Sequence, residues 1–163
     1  LMERVNRIYR HADYQRELVF IAEAEKNRAY CGHDMQHFLD VARISMIINA
    51  GQGYGFEKEV LYAAALLHDI GRGQEYRDGI SHDAASARLA EKILPECGYT
   101  EEETIYICEA IKGHRLSTDG TKVRTLLGDV LHKADHLSRS CYCCSEEKTC
   151  YWPSDKKNME IRM

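Results

Sequence analysis

The chain has 163 residues, of which 44% are hydrophobic and 29% charged, with a formal net charge of −4. That length suits one domain with a sizeable core, and the composition excludes a disordered chain. The acidic balance speaks against nucleic acid as a partner, and no apolar run approaches the roughly 20 residues of a membrane span.

Two prolines and little apolar–polar alternation point to helix throughout. The first helix is expected from about Asp13 to Tyr30, with Leu18, Ile21, Ala22 and Ala24 on its inner face and His11 on the surface. Tyr30-Cys31-Gly32-His33-Asp34 opens the second, in which His37, Val41, Ile44 and Ile48 recur on one helical stripe. A lone histidine on such a stripe is more often a satisfied core residue than a ligand. Gly51 to Gly55 lacks the Lys and Ser/Thr of a phosphate loop and reads as a turn.

Glu57 to Ile70 is the third helix, an apolar run that delivers His68 and Asp69 side by side. Gly71 is expected to cap it in the left-handed conformation. Burying two ionisable groups at such an end is costly unless they are paired or bind a metal. Ser81-His82-Asp83 begins a fourth helix with Ala84, Ala87, Ala90 and Leu94 on a small-residue stripe, closed by Pro95. Thr100 with Glu103 has the form of a capping box for a fifth helix carrying Ile107, Ile111 and His114. Beyond Gly120 a sixth carries Val123, Leu127, Leu131 and Asp135 in phase, which turns the Asp135 carboxylate towards the core. His132 and His136 fall on other faces and read as structural. The fold class expected is all-α, a single compact helical bundle.

Histidines at 33, 37, 68, 82 and 114 and aspartates at 69 and 135 thus sit at core-facing positions or helix ends. One economical explanation is that they surround metal. Ligands of this kind suit Fe, Mn, Co, Ni or Zn without choosing among them.

The ordered set His37, His68-Asp69 and Asp135, with the flanks Leu66-Leu67-His68-Asp69-Ile70-Gly71-Arg72 and Lys133-Ala134-Asp135, resembles the signature of the HD-domain superfamily of metal-dependent phosphohydrolases. The resemblance implies an HD domain over 31–139, preceded by an N-terminal helix, 1–30, packed on the core. It implies a first metal on His37, His68, Asp69 and Asp135. His82 and His114 match the places of a second, with Asp69 bridging. The activity implied is hydrolysis of phosphate esters or anhydrides by a metal-bound hydroxide. The substrate would be a small phosphorylated molecule, a nucleotide, with no membrane partner and oligomerisation left open. His33 resembles a leaving-group acid of the cyclic-nucleotide phosphodiesterase branch, where the surrounding motif differs. Arg72 is the first candidate for holding phosphate oxygens, followed by Lys112 and Arg115. Against these, His82 and His114 also read as ordinary residues at a helix start and a helix end. Two other readings stay open: an HD-fold di-iron oxygenase, and a non-catalytic metal- or redox-sensing domain.

Seven cysteines is an odd count. The opening does not read as a secretory signal, so free thiols or metal ligation, and a cytoplasmic location, are expected over a disulfide framework. Four of the cysteines lie in the tail, 140–163. Cys141 and Cys144 have the spacing that grips one metal, and Cys150 could add a third thiolate with Cys31 as a fourth, for Zn or an iron–sulfur cluster. Free thiols packing a loop are an equal reading.

Overall fold

The computed structural model describes residues 1–115 and 124–163, and its regular elements there are helices, with no strand among the described residues. In chain order these are α1 (Glu3–Arg10), α2 (Ala12–Ala24), α3 (Met35–Gln52), α4 (Lys58–Leu67), α5 (Arg72–Asp78), α6 (His82–Glu96), α7 (Glu101–Gly113) and α8 (Leu126–Leu137). Two short 3-10 turns, Cys141–Cys143 and Ser154–Lys156, follow in the tail. Gly120 and Val123 lie outside the described residues; α8 begins behind Thr125, whose hydroxyl accepts from the Gly128 N–H. No helix among the described residues is long and apolar enough to cross a membrane.

Helix α4 is the centre of the bundle. Val60, Leu61 and the whole run Ala63–Leu67 are buried, so the helix is apolar nearly all round and must be enclosed. Helices α1, α3, α6, α7 and α8 enclose it, and the alanines let them approach closely. Its C-terminus therefore opens where other helices converge.

Four local expectations are corrected. The N-terminal stretch holds two helices, not one, because His11 is extended and its ring accepts from the Asp13 N–H to cap α2. The buried face of α2 is Asp13, Tyr14, Glu17 and Ile21; Ala22 and Ala24 are exposed. Ala84 is likewise exposed, with Ala85, Ala87, Ala90 and Leu94 forming the inner face of α6, and Pro95 sits inside its last turn. Gly71 is not left-handed: its φ is −80° and it precedes α5 directly. The glycine is required for space instead, since a Cβ there would lie 2.5 Å from the Ser86 nitrogen and 2.7 Å from the Ala85 Cβ. Helix α6 packs against this bare backbone, and the Gly71 N–H donates to Ser86 Oγ at 2.8 Å.

The capping box agrees with expectation, and Asp34 adds a cap that was not expected. The Thr100–Glu103 capping box is formed in both directions, and Asp34 accepts from the His37 N–H at the start of α3. Helix α1 is fastened through Arg4, which donates to Glu59 at 2.6 Å and Glu103 at 2.8 Å and lies over the Tyr99 ring.

Candidate metal centre

The end of α4 sets His68 and Asp69 in a buried turn, at 0% and 1% exposure. His37 comes from the first turn of α3, His82 from the start of α6, His114 from the end of α7 and Asp135 from the last turn of α8. Ligand atoms of His37, His68, Asp69 and Asp135 lie within 4.8 Å of one another, and so do those of Asp69, His82 and His114. Asp69 is common to both groups. Its Oδ2 is 3.5 Å from His68 Nε2, while its Oδ1 is 3.1 Å from His82 Nε2 and 3.8 Å from His114 Nε2. Asp135 Oδ1 stands 3.4 Å from His37 Nε2 and 3.8 Å from His68 Nε2.

Each imidazole is oriented by its other nitrogen. His68 Nδ1 donates to the Ala65 carbonyl at 2.7 Å and His114 Nδ1 to that of Ile111 at 2.6 Å. His82 Nδ1 donates to Glu75 Oε2 at 2.8 Å. His37 Nδ1 donates to Ser138 Oγ at 3.2 Å, whose own proton goes to the Asp135 carbonyl. With the Nδ1 protons so placed, the Nε2 lone pairs face inward.

They face carboxylate oxygens. His68 Nε2, His82 Nε2, both Asp69 oxygens and Asp135 Oδ1 are buried without a hydrogen-bond partner among the described residues. Lone pairs set against lone pairs in a buried site are costly unless a cation lies between them. The donor set therefore fits divalent metal: nitrogen and oxygen only, neutral rings, and two carboxylates to balance the charge.

The electrostatics agree. Burial, helped by Arg139, pushes His37 down to about 3, and burial pushes His114 down to about 4, which keeps both rings neutral. Burial would raise the Asp69 and Asp135 carboxyls, yet His68, His82 and Arg72 hold Asp69, and His68 and Arg139 hold Asp135, below the ordinary range. His68 moves upward although burial opposes it, because both carboxylates draw positive charge to that point.

The other expected site residues divide. His33 is buried, donates Nδ1–H to Glu25 Oε1 at 2.5 Å and presents Nε2 3.5 Å from Asp69 Oδ2. Arg72 Nε lies 3.4 Å from Asp69 Oδ1, and Arg115, about half exposed, stands 4.0 Å from Glu75. All three line a cavity of about 1010 Å³ that also reaches His114 and Asp135. Lys112 is not brought there: it points outward and pairs with Glu91 at 3.0 Å. Two helical positions from His114 is a turn of about 200°, so the two side chains must diverge. Cys141, Cys144 and Cys150 are free thiols, and no group of three ligand atoms among the described residues includes a cysteine. Cys31, Cys141, Cys144 and Cys150 line the same cavity instead.

Sequence reasoning passed over Glu25, Glu75, Ser138 and Arg139. Arg139 Nη2 lies 3.2 Å from His37 Nε2 and 3.6 Å from Asp135 Oδ1, one helical turn beyond that aspartate. Its spacing was a usable signal. Glu25 and Glu75 carried none, since their partners are fixed by folding. His132, read as structural, donates Nδ1 to the His114 carbonyl at 2.7 Å and so supports a candidate ligand's backbone.

A sequence model of the HD domain matches residues 35–140. An uncharacterised protein of Clostridium beijerinckii is 38% identical over 160 residues, covering 98% of this chain and 99% of its own. A bifunctional uridylyltransferase/uridylyl-removing enzyme of Azospirillum brasilense is 40% identical over 57 residues, 35% of this chain but 6% of that enzyme. The crystal structure of a predicted HD superfamily hydrolase from an uncultured Thermotogales bacterium superposes with a TM-score of 0.62 at 26% identity, covering 89% of this chain and 81% of that one.

Proposed function

The chain belongs to the HD domain family, and from that membership we propose that it is a metal-dependent hydrolase of phosphate esters or anhydrides, acting on a small nucleotide. One observation carries the reading: the ligand atoms gather in two groups that share Asp69, and His68 Nε2, His82 Nε2, both Asp69 oxygens and Asp135 Oδ1 among them are buried without a hydrogen-bond partner. His37, His68, Asp69 and Asp135 would hold one ion, and Asp69, His82 and His114 a second. Divalent ions of the Fe, Mn, Co, Ni or Zn kind would polarise the phosphoryl oxygens and lower the pKa of water to supply a nucleophile near neutral pH.

The chain's own groups do the rest. Arg72, beside Asp69, and Arg139, beside His37 and Asp135, carry forked donors suited to phosphate oxygens. Arg115 adds a third positive charge at the cavity wall. Together they hold the phosphate for in-line attack and offset the acidic surface. Glu25 fixes His33 so that its Nε2 faces the cavity floor. As an imidazolium, with Nδ1–H on Glu25 and Nε2–H toward the cavity, His33 would give its Nε2 proton to the leaving oxygen as the P–O bond breaks, while the attacking water bonds to phosphorus and releases its own proton to solvent. The partial relatives named for uridylyl removal support the nucleotide side of the reading, a uridylyl group being a nucleoside monophosphate.

A nucleotide and phosphatase panel with added Mn²⁺, Co²⁺ or Fe²⁺ tests this. Release of phosphate or nucleoside monophosphate is expected, abolished in Asp69→Ala, with metal near two ions per chain. Oxygen consumption on a polyol substrate, with no phosphate released, would replace the reading with an oxygenase. Absence of bound metal, with His68→Ala behaving as wild type, would remove the centre altogether.

A further inference from the structure

The chain after α8 is tied back onto the domain. Asn158, 5% exposed, donates Nδ2 to the carbonyls of His136 at 2.7 Å and Arg139 at 3.0 Å, and its own carbonyl accepts from the Tyr142 N–H. His136 Nε2 donates to the Lys156 carbonyl at 2.7 Å. At the far side the Tyr30 hydroxyl donates to the Thr149 carbonyl at 3.0 Å. The strap so formed runs from the end of α8 to the loop before α3. It walls the cavity that also touches His33, His114 and Asp135.

Two aromatic rings on this strap are held by rings of the domain. Trp152 lies flat on His136, centroids 5.4 Å apart and planes 8° from parallel. Tyr151 meets Tyr30 edge to face at 5.7 Å, yet remains 70% exposed. Both line the cavity, with the cations Arg28 and Lys156 beside them. A volume of about 1010 Å³ stands at the top of the range of roughly 300–1,000 Å³ for small-molecule sites, far more than a phosphate group needs. Exposed or partly covered rings, each set against another ring in such a cavity, are what a flat heteroaromatic ring stacks upon.

We propose that Tyr151 and Trp152, braced by Tyr30 and His136, form a nucleobase subsite, so that the substrate is a nucleoside phosphate or anhydride and not a simple phosphate ester. This rests on the phosphohydrolase reading above. It gives the cysteine-bearing tail a role as substrate wall, with base at the strap and phosphate at the Asp69 centre.

Trp152 is the single tryptophan, so its emission reports the subsite directly. The full chain, loaded with Mn²⁺, is titrated with AMP and with ribose 5-phosphate. AMP should quench saturably while ribose 5-phosphate leaves the emission unchanged. Tyr151→Ala should raise the AMP Kd about tenfold or more, and Tyr151→Phe, which keeps the ring, should restore it. Equal quenching by ribose 5-phosphate, no quenching by AMP, or an unaltered Kd in Tyr151→Ala would overturn the subsite. Hydrolysis of p-nitrophenyl phosphate separates this from failure of the catalytic reading. It should be present in wild type and lost in Asp69→Ala; no hydrolysis by wild type, of that ester or of any nucleotide, counts against the centre, while the AMP titration decides the subsite.

Discussion

At the scale of single residues, the groups that orient the candidate ligands would matter nearly as much as those ligands. Glu75 fixes His82 through Nδ1, so Glu75→Gln should weaken the second ion by about 10–100-fold. Elemental analysis at limiting metal should then fall from near two ions per chain towards one; two retained would show that His82 needs no such support. Glu25 offers a pH test. Burial would raise its carboxyl, but hydrogen bonds from His33 and Tyr76 outweigh that and hold it at about 2, against 4.5 unperturbed. Folded below unfolded means the stabilisation is whole above pH 4.5 and is lost as pH falls towards 2. Urea denaturation at stepped pH should therefore show a shallower acid decline in Glu25→Gln than in wild type; equal slopes would count against the contact. His37, His68, Asp69 and Asp135 were legible because charge in an apolar register is conspicuous, whereas Glu25 and Glu75 sit among many acidic residues with nothing to mark them.

At the scale of elements, helix starts were easier to read than helix ends. The Thr100–Glu103 box is local chemistry, complete within four residues, and Thr100→Ala should cost about 1 kcal/mol in chemical denaturation. The end of α4 obeys a different rule. Gly71 has an ordinary φ, and what it avoids is a clash with Ala85 and Ser86 on α6. Gly71→Ala should thus destabilise by about 1–3 kcal/mol through overpacking, with a reduced metal content because α6 carries His82. A variant as stable as wild type would place the constraint elsewhere. From the sequence the glycine could be assigned only to a helix cap, since the helix it accommodates starts eleven residues later.

At the scale of the whole molecule, the centre joins five helices or helix ends from distant parts of the chain, and a bound ion would tie them together. Chelation should lower the melting temperature: losing an ion present at 100 times its Kd removes about 2.7 kcal/mol, a shift on the order of 5 °C or more for a chain of this size. An unchanged melting curve in EDTA would argue against a bound ion. The all-helical architecture and the ordered histidine–aspartate set follow from the sequence by itself, because hydrophobic periodicity and ionisable side chains in apolar registers are local patterns. Tertiary structure alone decided that Asp69 turns one oxygen to each group, that Lys112 faces away, and that the cysteine tail walls the cavity with Tyr151 and Trp152. Those outcomes depend on how helices are rotated and packed against one another. Only long-range contacts fix that, and no short window of sequence contains them.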